Sequence, residues 1–356
     1  MFANFKEFSM PSSFRIRLLV IAALTLLSTA ASARDLTVVS VGGSLQEAFR
    51  KAYWQPYAVA KSEKLVEDTN VVGLTKVKAM VEANNVIWDL VQMDEEDVVV
   101  GCESGLLEKV DWRAVAPSTL DLPKESLSPC GVPTMLWAKV MSYDTKRVAN
   151  GPKSWADFWD TKKWPGKRAL RKQAKQTLEI ALMADGVPAS DVYKVLATKA
   201  GQDRAFAKLD QLKKDVQWWE SGAQPVEWLT SGAVAMSSAY NGRVDAANKE
   251  GKSLAMVWKN QIYGPTYWVV VKGTPNKAKA VALIDFMTSA PQQKLFAETI
   301  SYGPVNPKAQ SALSKSVLDR LPNAPQNTDA PLLQNTAFWA DHLDELQQRF
   351  AKWVSN

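Results

Sequence analysis

The segment Val234-Ala-Met-Ser-Ser-Ala-Tyr-Asn-Gly-Arg243 concentrates the binding chemistry of this chain. An apolar run gives way abruptly to Ser237, Ser238, Tyr240, Asn241, Gly242 and Arg243. That order reads as a buried strand delivering hydrogen-bonding groups and one cation to its C-terminal end. In open α/β sheets, small ligands bind outside the carboxyl ends of strands. A guanidinium fixed there can grip a carboxylate through two parallel hydrogen bonds. The competing reading is a strand–turn–helix corner with Arg243 in solvent.

A second candidate is Asp94-Glu95-Glu96-Asp97, which follows an apolar run. It could hold a cation or an amine; equally, it is an acidic first turn favoured by the helix dipole. The chain has one histidine, His342, in a C-terminal helical stretch, which argues against a histidine-based hydrolase or metal site. Tyr240, Tyr263, Tyr267 and Tyr302 offer phenolates for ferric iron, although packing is the ordinary use of tyrosine. Among 14 tryptophans, Trp88, Trp137, Trp218, Trp219, Trp228 and Trp268 lie in polar contexts. Aromatic walls suit alkyl chains and ammonium groups, while most such residues serve the core.

The first 33 residues read as an export signal. Arg15 and Arg17 precede the apolar core Leu18–Leu27, which is too short for a bilayer-spanning helix, and Ala31-Ser32-Ala33 is a small-x-small cleavage site. Cleavage after Ala33 removes 33 of 356 residues and leaves 323, enough for two cores. The signal carries +2 of the formal charge of +6, leaving +4, with Lys and Arg interleaved among acids. Nucleic acid is therefore not an expected partner. Cys102 and Cys130 are the two cysteines; an even count in an oxidising compartment invites a disulfide, with two separate buried thiols as the alternative.

Short apolar runs alternate with helical patterns. Strands are expected at 34–41, 66–72, 86–93 and 132–142, at 217–219 as an edge, and at 254–258 and 267–271. Helices are expected at 45–57, 76–83, 95–102, 174–184, 189–197, 203–214, 226–232, 245–249, 276–289, 291–298 and 338–353. The stretch 155–166 reads as helical and charge-rich. Alternation of this kind implies βαβ units and largely parallel sheets. No flexible tether divides the chain, so it is expected to cross between two lobes through strands, as in hinged proteins that close around a ligand.

Three segments carry a resemblance: Trp155-Ala-Asp-Phe-Trp-Asp-Thr-Lys-Lys-Trp-Pro-Gly-Lys-Arg-Ala-Leu170, Tyr240-Asn-Gly-Arg243 and Ala297-Glu-Thr-Ile-Ser-Tyr-Gly-Pro-Val-Asn-Pro307. Over essentially its whole exported length the chain resembles the periplasmic solute-binding proteins of the spermidine/putrescine class of ABC transporters. The cysteine pair is similar to that of a subgroup. The resemblance implies an α/β, two-lobed periplasmic binding protein fold with crossing hinge strands and a ligand cleft between the lobes. Residues 34–138 and 267–308 would form lobe 1, and 139–266 with 309–356 lobe 2. It implies Gly43, Ser44 and Gln46 at the first-lobe rim, Met93 and Asp94 ending a strand at the cleft, and Tyr240 and Tyr302 as an aromatic wall.

The departures are informative. Where polyamine receptors carry carboxylates, this chain reads Arg171-Lys172-Gln173, Gln176 and Thr266-Tyr267-Trp268. Without those acids a buried dication loses the counter-charges that offset its desolvation. Arg243 adds repulsion. The site reads as adapted to a carboxylate gripped by Arg243, with Tyr240 and Trp268 flanking the solute and an amine held by Asp94 or Asp89. A related subgroup takes γ-aminobutyrate and opine-like compounds, and the Tyr-Asn-Gly-Arg segment is similar to it. The expected function is a periplasmic binding component of an ABC importer, monomeric, without cofactor or metal, presenting its closed form to an inner-membrane permease. The alternatives are a true putrescine/spermidine receptor and an envelope enzyme, for which no nucleophile–base constellation is evident.

Overall fold

The computed structural model describes residues 34–70 and 73–355; the export signal and cleavage site expected from the sequence lie outside the described residues. β1 (Leu36–Ser40) is buried along its whole length, as expected of a central parallel strand, with Thr37 and Ser40 buried beside Leu36, Val38 and Val39. It pairs in parallel with β2 (Leu65–Thr69) and β3 (Leu90–Asp94). β8 (Leu254–Val270) runs antiparallel to β3, setting Asp94 opposite Thr266 and Gln92 opposite Trp268. β4 (Gly131–Asp144) runs antiparallel to β8, with register shifts between Pro133 and Met135 and between Lys139 and Met141. The end of β4 pairs with β7 (Met236–Tyr240), which is parallel to β5 (Arg168–Arg171). β6 (Val216–Trp219) is the far edge, and β9 (Leu332–Leu333) pairs with β8 off the main path. The order is β2-β1-β3-β8-β4-β7-β5-β6. Two parallel groups are thus joined through the antiparallel pair β4 and β8, the two longest strands described.

The two strands expected at 254–258 and 267–271 are the ends of the single strand β8. The stretch between them carries Asn260, Gly264 and Pro265, which read as breakers. Asn260 takes a left-handed φ of 56°. Pro265 has no N–H to give, but its partner Leu136 exchanges both backbone hydrogen bonds with Gly303 instead (2.8 and 2.9 Å). The strand therefore continues through its proline at no cost to β4.

β5 lies where no strand was expected. The basic run Lys162–Arg171 conceals it because Arg168 is fully buried. Its guanidinium donates to the carbonyls of Phe158 (2.7 Å), Trp164 (2.7 Å), Gly166 (2.6 Å) and Asp160 (3.2 Å), so the charge is solvated by backbone. Beyond β7, the helix Asn241–Lys249 starts four residues earlier than the sequence pattern indicates.

An aromatic core packs Phe49 on Phe296 (ring centroids 5.1 Å apart) and on Trp268 (5.1 Å), under the helix Gly43–Phe49 and its continuation through Trp54. The C-terminal helix Thr336–Ser355 buries Phe338, Trp339, Leu346 and Phe350. His342 lies on it, half-buried, 4.6 Å from the Phe338 ring. Cys102 and Cys130 form a disulfide across 28 residues, joining the helix Glu95–Glu103 to the start of β4. Closing a loop of that length stabilises by about 3–4 kcal/mol through the unfolded chain.

Candidate ligand-binding site

Strand ends from both parallel groups converge on one small cavity of about 90 Å³. From the β1/β3 side it is lined by Val41, Leu45, Gln92, Met93 and Asp94; from β7 and the helix after it, by Tyr240 and Arg243. β5 and β6 contribute Arg171 and Trp219, with Glu220, Ser221 and Gly222 following. The crossing strands add Met135, Trp137 and Thr266, and Tyr302 completes the wall. The parallel strands deliver these groups from their carboxyl ends, where a solute meets strand-end side chains and the first turns of helices.

Arg243 sits on the first turn of Asn241–Lys249 and is 7% exposed, so the corner does not leave it in solvent. Its Nη2 donates to the Gly42 carbonyl at 3.1 Å. Gly222 lets it pass: a Cβ there would stand 2.6 Å from its Nε. Asn241 braces the corner, accepting from the Ala138 N–H (2.9 Å) and donating to the Ser301 carbonyl (2.5 Å). Gly242 leaves room for the Tyr302 ring, which a Cβ would meet at 2.5 Å. Ser237 and Ser238 are buried and donate or accept within the sheet, Ser238 receiving the Trp219 indole N–H at 3.2 Å. They support the strand and do not line the cavity.

Arg171, at the end of β5, donates to the Tyr240 hydroxyl at 2.7 Å. Trp137 and Trp219 meet the Tyr240 ring edge-on, with centroids 5.8 and 6.1 Å away. Behind this wall lies Lys139, fully buried, with its ammonium 3.6 Å from the centroid of Tyr240 and 4.2 Å from that of Trp219. Its nitrogen has no hydrogen-bond partner among the described residues. Burial, then the Arg171 charge, holds Lys139 well below its ordinary lysine value. Burial raises the Tyr240 and Tyr302 hydroxyls, so both remain neutral donors at physiological pH. Raised phenols are poorly suited to binding ferric iron as phenolates.

The opposite wall is acidic and internally paired. Lys175 donates to Asp94 at 2.7 Å and also to Glu96. Burial opposes ionisation of Asp94, yet the charge and hydrogen bond of Lys175, together with the charges of Arg171 and Lys139, outweigh it and hold the carboxyl below its usual range. At Glu96 burial prevails over Lys175 and the carboxyl is raised. Asp97, half-buried, is pushed up to about 7 by burial and by the charges of Asp94 and Glu96.

Of the residues expected to bind solute, Met93, Asp94, Tyr240, Arg243 and Tyr302 are brought together around the cavity, although the Met93 side chain belongs to an apolar cluster with Val98 and Tyr267. Ser44, Gln46 and Trp268 are outside its lining. Gln46 is committed to Ser40 (3.0 Å) and Glu67 (3.0 Å), and Ser44 sits half-buried on the turn before it. Trp268 shares a face of β8 with Thr266 but lies two residues deeper, sealed by Phe49 and Trp54. Asp89 precedes β3 at the end remote from Asp94 and accepts from the Thr37 N–H (2.6 Å) and Asn276 (3.2 Å). It is a buried anchor and not an amine site. Trp137 and Trp219, two of the six tryptophans considered for an aromatic wall, do line the cavity. Arg171 and Lys175 were not expected as site residues; Arg171 sits at the end of a strand that the sequence pattern did not indicate.

The cavity thus offers two guanidiniums, an aromatic lining and, on the opposite wall, the carboxylate of Asp94, while the exposed Glu220 that also borders it is paired with Lys172. That set suits a solute with a carboxylate, a short alkyl body and an ammonium. Among the described residues no three His, Cys, Asp or Glu side chains are grouped to hold a metal, and no helix is long and apolar enough to cross a membrane.

The family model for bacterial extracellular solute-binding proteins matches residues 73–326. The γ-aminobutyric acid-binding protein of Pseudomonas aeruginosa is 48% identical over 91% of this chain and 92% of its own length. Among solved structures, the periplasmic binding protein MotA of A. tumefaciens B6, in complex with glucopine, superposes with a TM-score of 0.83 at 32% identity, covering 90% of this chain and 99% of that one. The Atu4243 GABA receptor superposes with a TM-score of 0.79 at 33% identity, covering 90% and 98%.

Proposed function

The chain belongs to the bacterial extracellular solute-binding proteins, and we propose that its solute is γ-aminobutyrate or a close analogue with one amine and one carboxylate. It has the two-lobed periplasmic binding protein fold and is the substrate-binding component of an ABC importer, serving a membrane permease; the family binds solutes and is not one of enzymes. The observation that carries the ligand reading is the pairing, in one cavity, of Arg171 and Arg243 with the carboxylate of Asp94; the other acid bordering the cavity, Glu220, is exposed and paired with Lys172. Arg243 and Arg171 grip the solute carboxylate. Tyr240, Trp137 and Trp219 enclose the methylenes, and Asp94 receives the ammonium. That a relative 48% identical is a γ-aminobutyric acid-binding protein supports the same reading.

The solute bridges the lobes, residues 34–138 and 267–308 on one side and 139–266 and 309–356 on the other. The crossing of β4 and β8 and the register shift at Lys139/Met141 support hinges there. The exported protein, cleaved after Ala33, acts in the periplasm as a monomer.

Calorimetric titration of ligand-stripped protein with γ-aminobutyrate, putrescine, spermidine and an opine tests this. Tight γ-aminobutyrate binding with silent diamines is expected. Tight putrescine or spermidine binding with γ-aminobutyrate silent would overturn it and make the protein a polyamine receptor.

A further inference from the structure

The corner beside Asp94 is a complete ammonium site that the chain fills itself. Lys175 follows β5, whereas Asp94 ends β3 and Glu96 lies just beyond it, and in the sheet β8, β4 and β7 separate the two strands. The Lys175 ammonium reaches across and donates to both carboxylates. All three side chains are largely buried, Lys175 and Glu96 almost completely. Gln334 supplies a further donor to Glu96 at 3.3 Å and is itself held by Gln176 at 3.0 Å. Asp94 faces two ways, toward Lys175 and into the cavity.

We propose that Lys175 is a specificity-determining residue: its tethered ammonium occupies the Asp94–Glu96 pair, so the site admits a solute with one amine and refuses a diamine. This rests on the reading of the cavity as a site for an amine-bearing carboxylate. Two acids with one built-in cation leave charge for a single further ammonium, at Asp94. A second ammonium would meet the buried Lys175 at one wall and the half-buried Arg171 or buried Arg243 at the other, where like charges repel it. Removing the Lys175 ammonium leaves two adjacent buried carboxylates uncompensated, the condition under which an external ammonium binds in its place. The vacated position is reachable, because Lys175, Glu96 and Asp97 also line a groove that shares Arg171, Trp219 and Glu220 with the cavity.

The test is titration of wild type and Lys175→Met with γ-aminobutyrate and putrescine, with melting curves as a check on folding. Wild type is expected to prefer γ-aminobutyrate at least 100-fold. Lys175→Met should bind putrescine at least tenfold more tightly than wild type, so the preference falls by that factor or more. A folded Lys175→Met protein with an unchanged preference overturns the inference alone; wild type that prefers putrescine overturns both this and the proposed function. If Lys175→Met fails to fold, Glu96→Gln decides. With one carboxylate left, Lys175 draws Asp94 to itself, and the preference for γ-aminobutyrate over n-butyrate, which lacks the amine, should drop at least fivefold. A lower melting temperature with that preference intact would mean that the pair serves structure only.

Discussion

The two walls of the cavity carry opposite charges and are built in opposite ways. On the wall from β5 and β7, Arg171 and Arg243 have no carboxylate partner among the described residues; they are oriented by neutral acceptors, the Tyr240 hydroxyl and the Gly42 carbonyl. On the wall from β3, Asp94 is already ion-paired with Lys175. One wall therefore carries charge waiting for a counter-ion, and the other carries charge that the chain has largely neutralised. The first should dominate affinity. The second should choose among carboxylates according to whether they bear an amine.

Removing Arg243 attacks the dominant wall. Arg243→Ala should weaken γ-aminobutyrate by about 2–5 kcal/mol, the cost of truncating one partner of a buried charge pair. Arg243→Lys should recover only part of that loss, because the planar fork is gone. An affinity that survives Arg243→Ala removes this residue from the site. Asp94→Asn attacks the other wall. It should cost γ-aminobutyrate about 1.5–3 kcal/mol, the range of a hydrogen bond to a charged group. Binding of n-butyrate should be spared by comparison, and equal losses for the two solutes would contradict the assignment of the amine to Asp94.

How much of this was legible depended on whether a residue's environment is local. Asp94 and Arg243 could be placed because each follows a recognisable strand, and strand ends are where solutes bind. Tyr302 was placed by resemblance. Arg171 stayed hidden because β5 begins in a basic run, and the four carbonyls that solvate Arg168 come from a turn whose path only the fold determines. Lys175 was hidden for a similar reason, its partners lying 81 and 79 residues away. Trp268 erred the other way. Its aromatic character suggested a ligand wall, but two residues of depth along β8 place it under Phe49 and Trp54. The unbroken length of β8 was obscured by Pro265, whose missing donor matters only to a neighbour that pairs elsewhere.

The contrast between a paired and an unpaired acid extends beyond the cavity. Glu179 is fully buried, with only the neutral donors Trp339 (2.7 Å) and Tyr193 (3.1 Å) on one of its oxygens. Burial pushes it up to about 7, whereas Asp94, largely buried but facing Lys175, is lowered. A raised acid binds its proton more tightly in the folded than in the unfolded chain. Its contribution to stability is therefore present at low pH and is lost as pH rises from about 4.5 to about 7. Glu179 alone should account for a loss on the order of 3 kcal/mol across that window, with Asp97 acting in the same direction. Glu179→Gln should flatten the slope of unfolding free energy between pH 4.5 and 7.5, measured by denaturant titration at each pH. A slope identical to wild type would show that Glu179 is not the titrating group.

The smallest expected effect separates orientation from charge on the guanidinium wall. Tyr240→Phe keeps the ring that Trp137 and Trp219 enclose and the face that covers Lys139, but removes the acceptor that holds Arg171. Loss of one such hydrogen bond should weaken γ-aminobutyrate by about 0.5–1.5 kcal/mol. Because burial raises the Tyr240 hydroxyl, it stays protonated through pH 9, and wild-type affinity should not fall between pH 7 and 9 through this group. If Arg171 acts through its position, Tyr240→Phe and Arg171→Met should be less than additive, since each removes the same contact. Full additivity in that cycle would mean that Arg171 contributes only its charge, and that the hydroxyl of Tyr240 meets the solute directly.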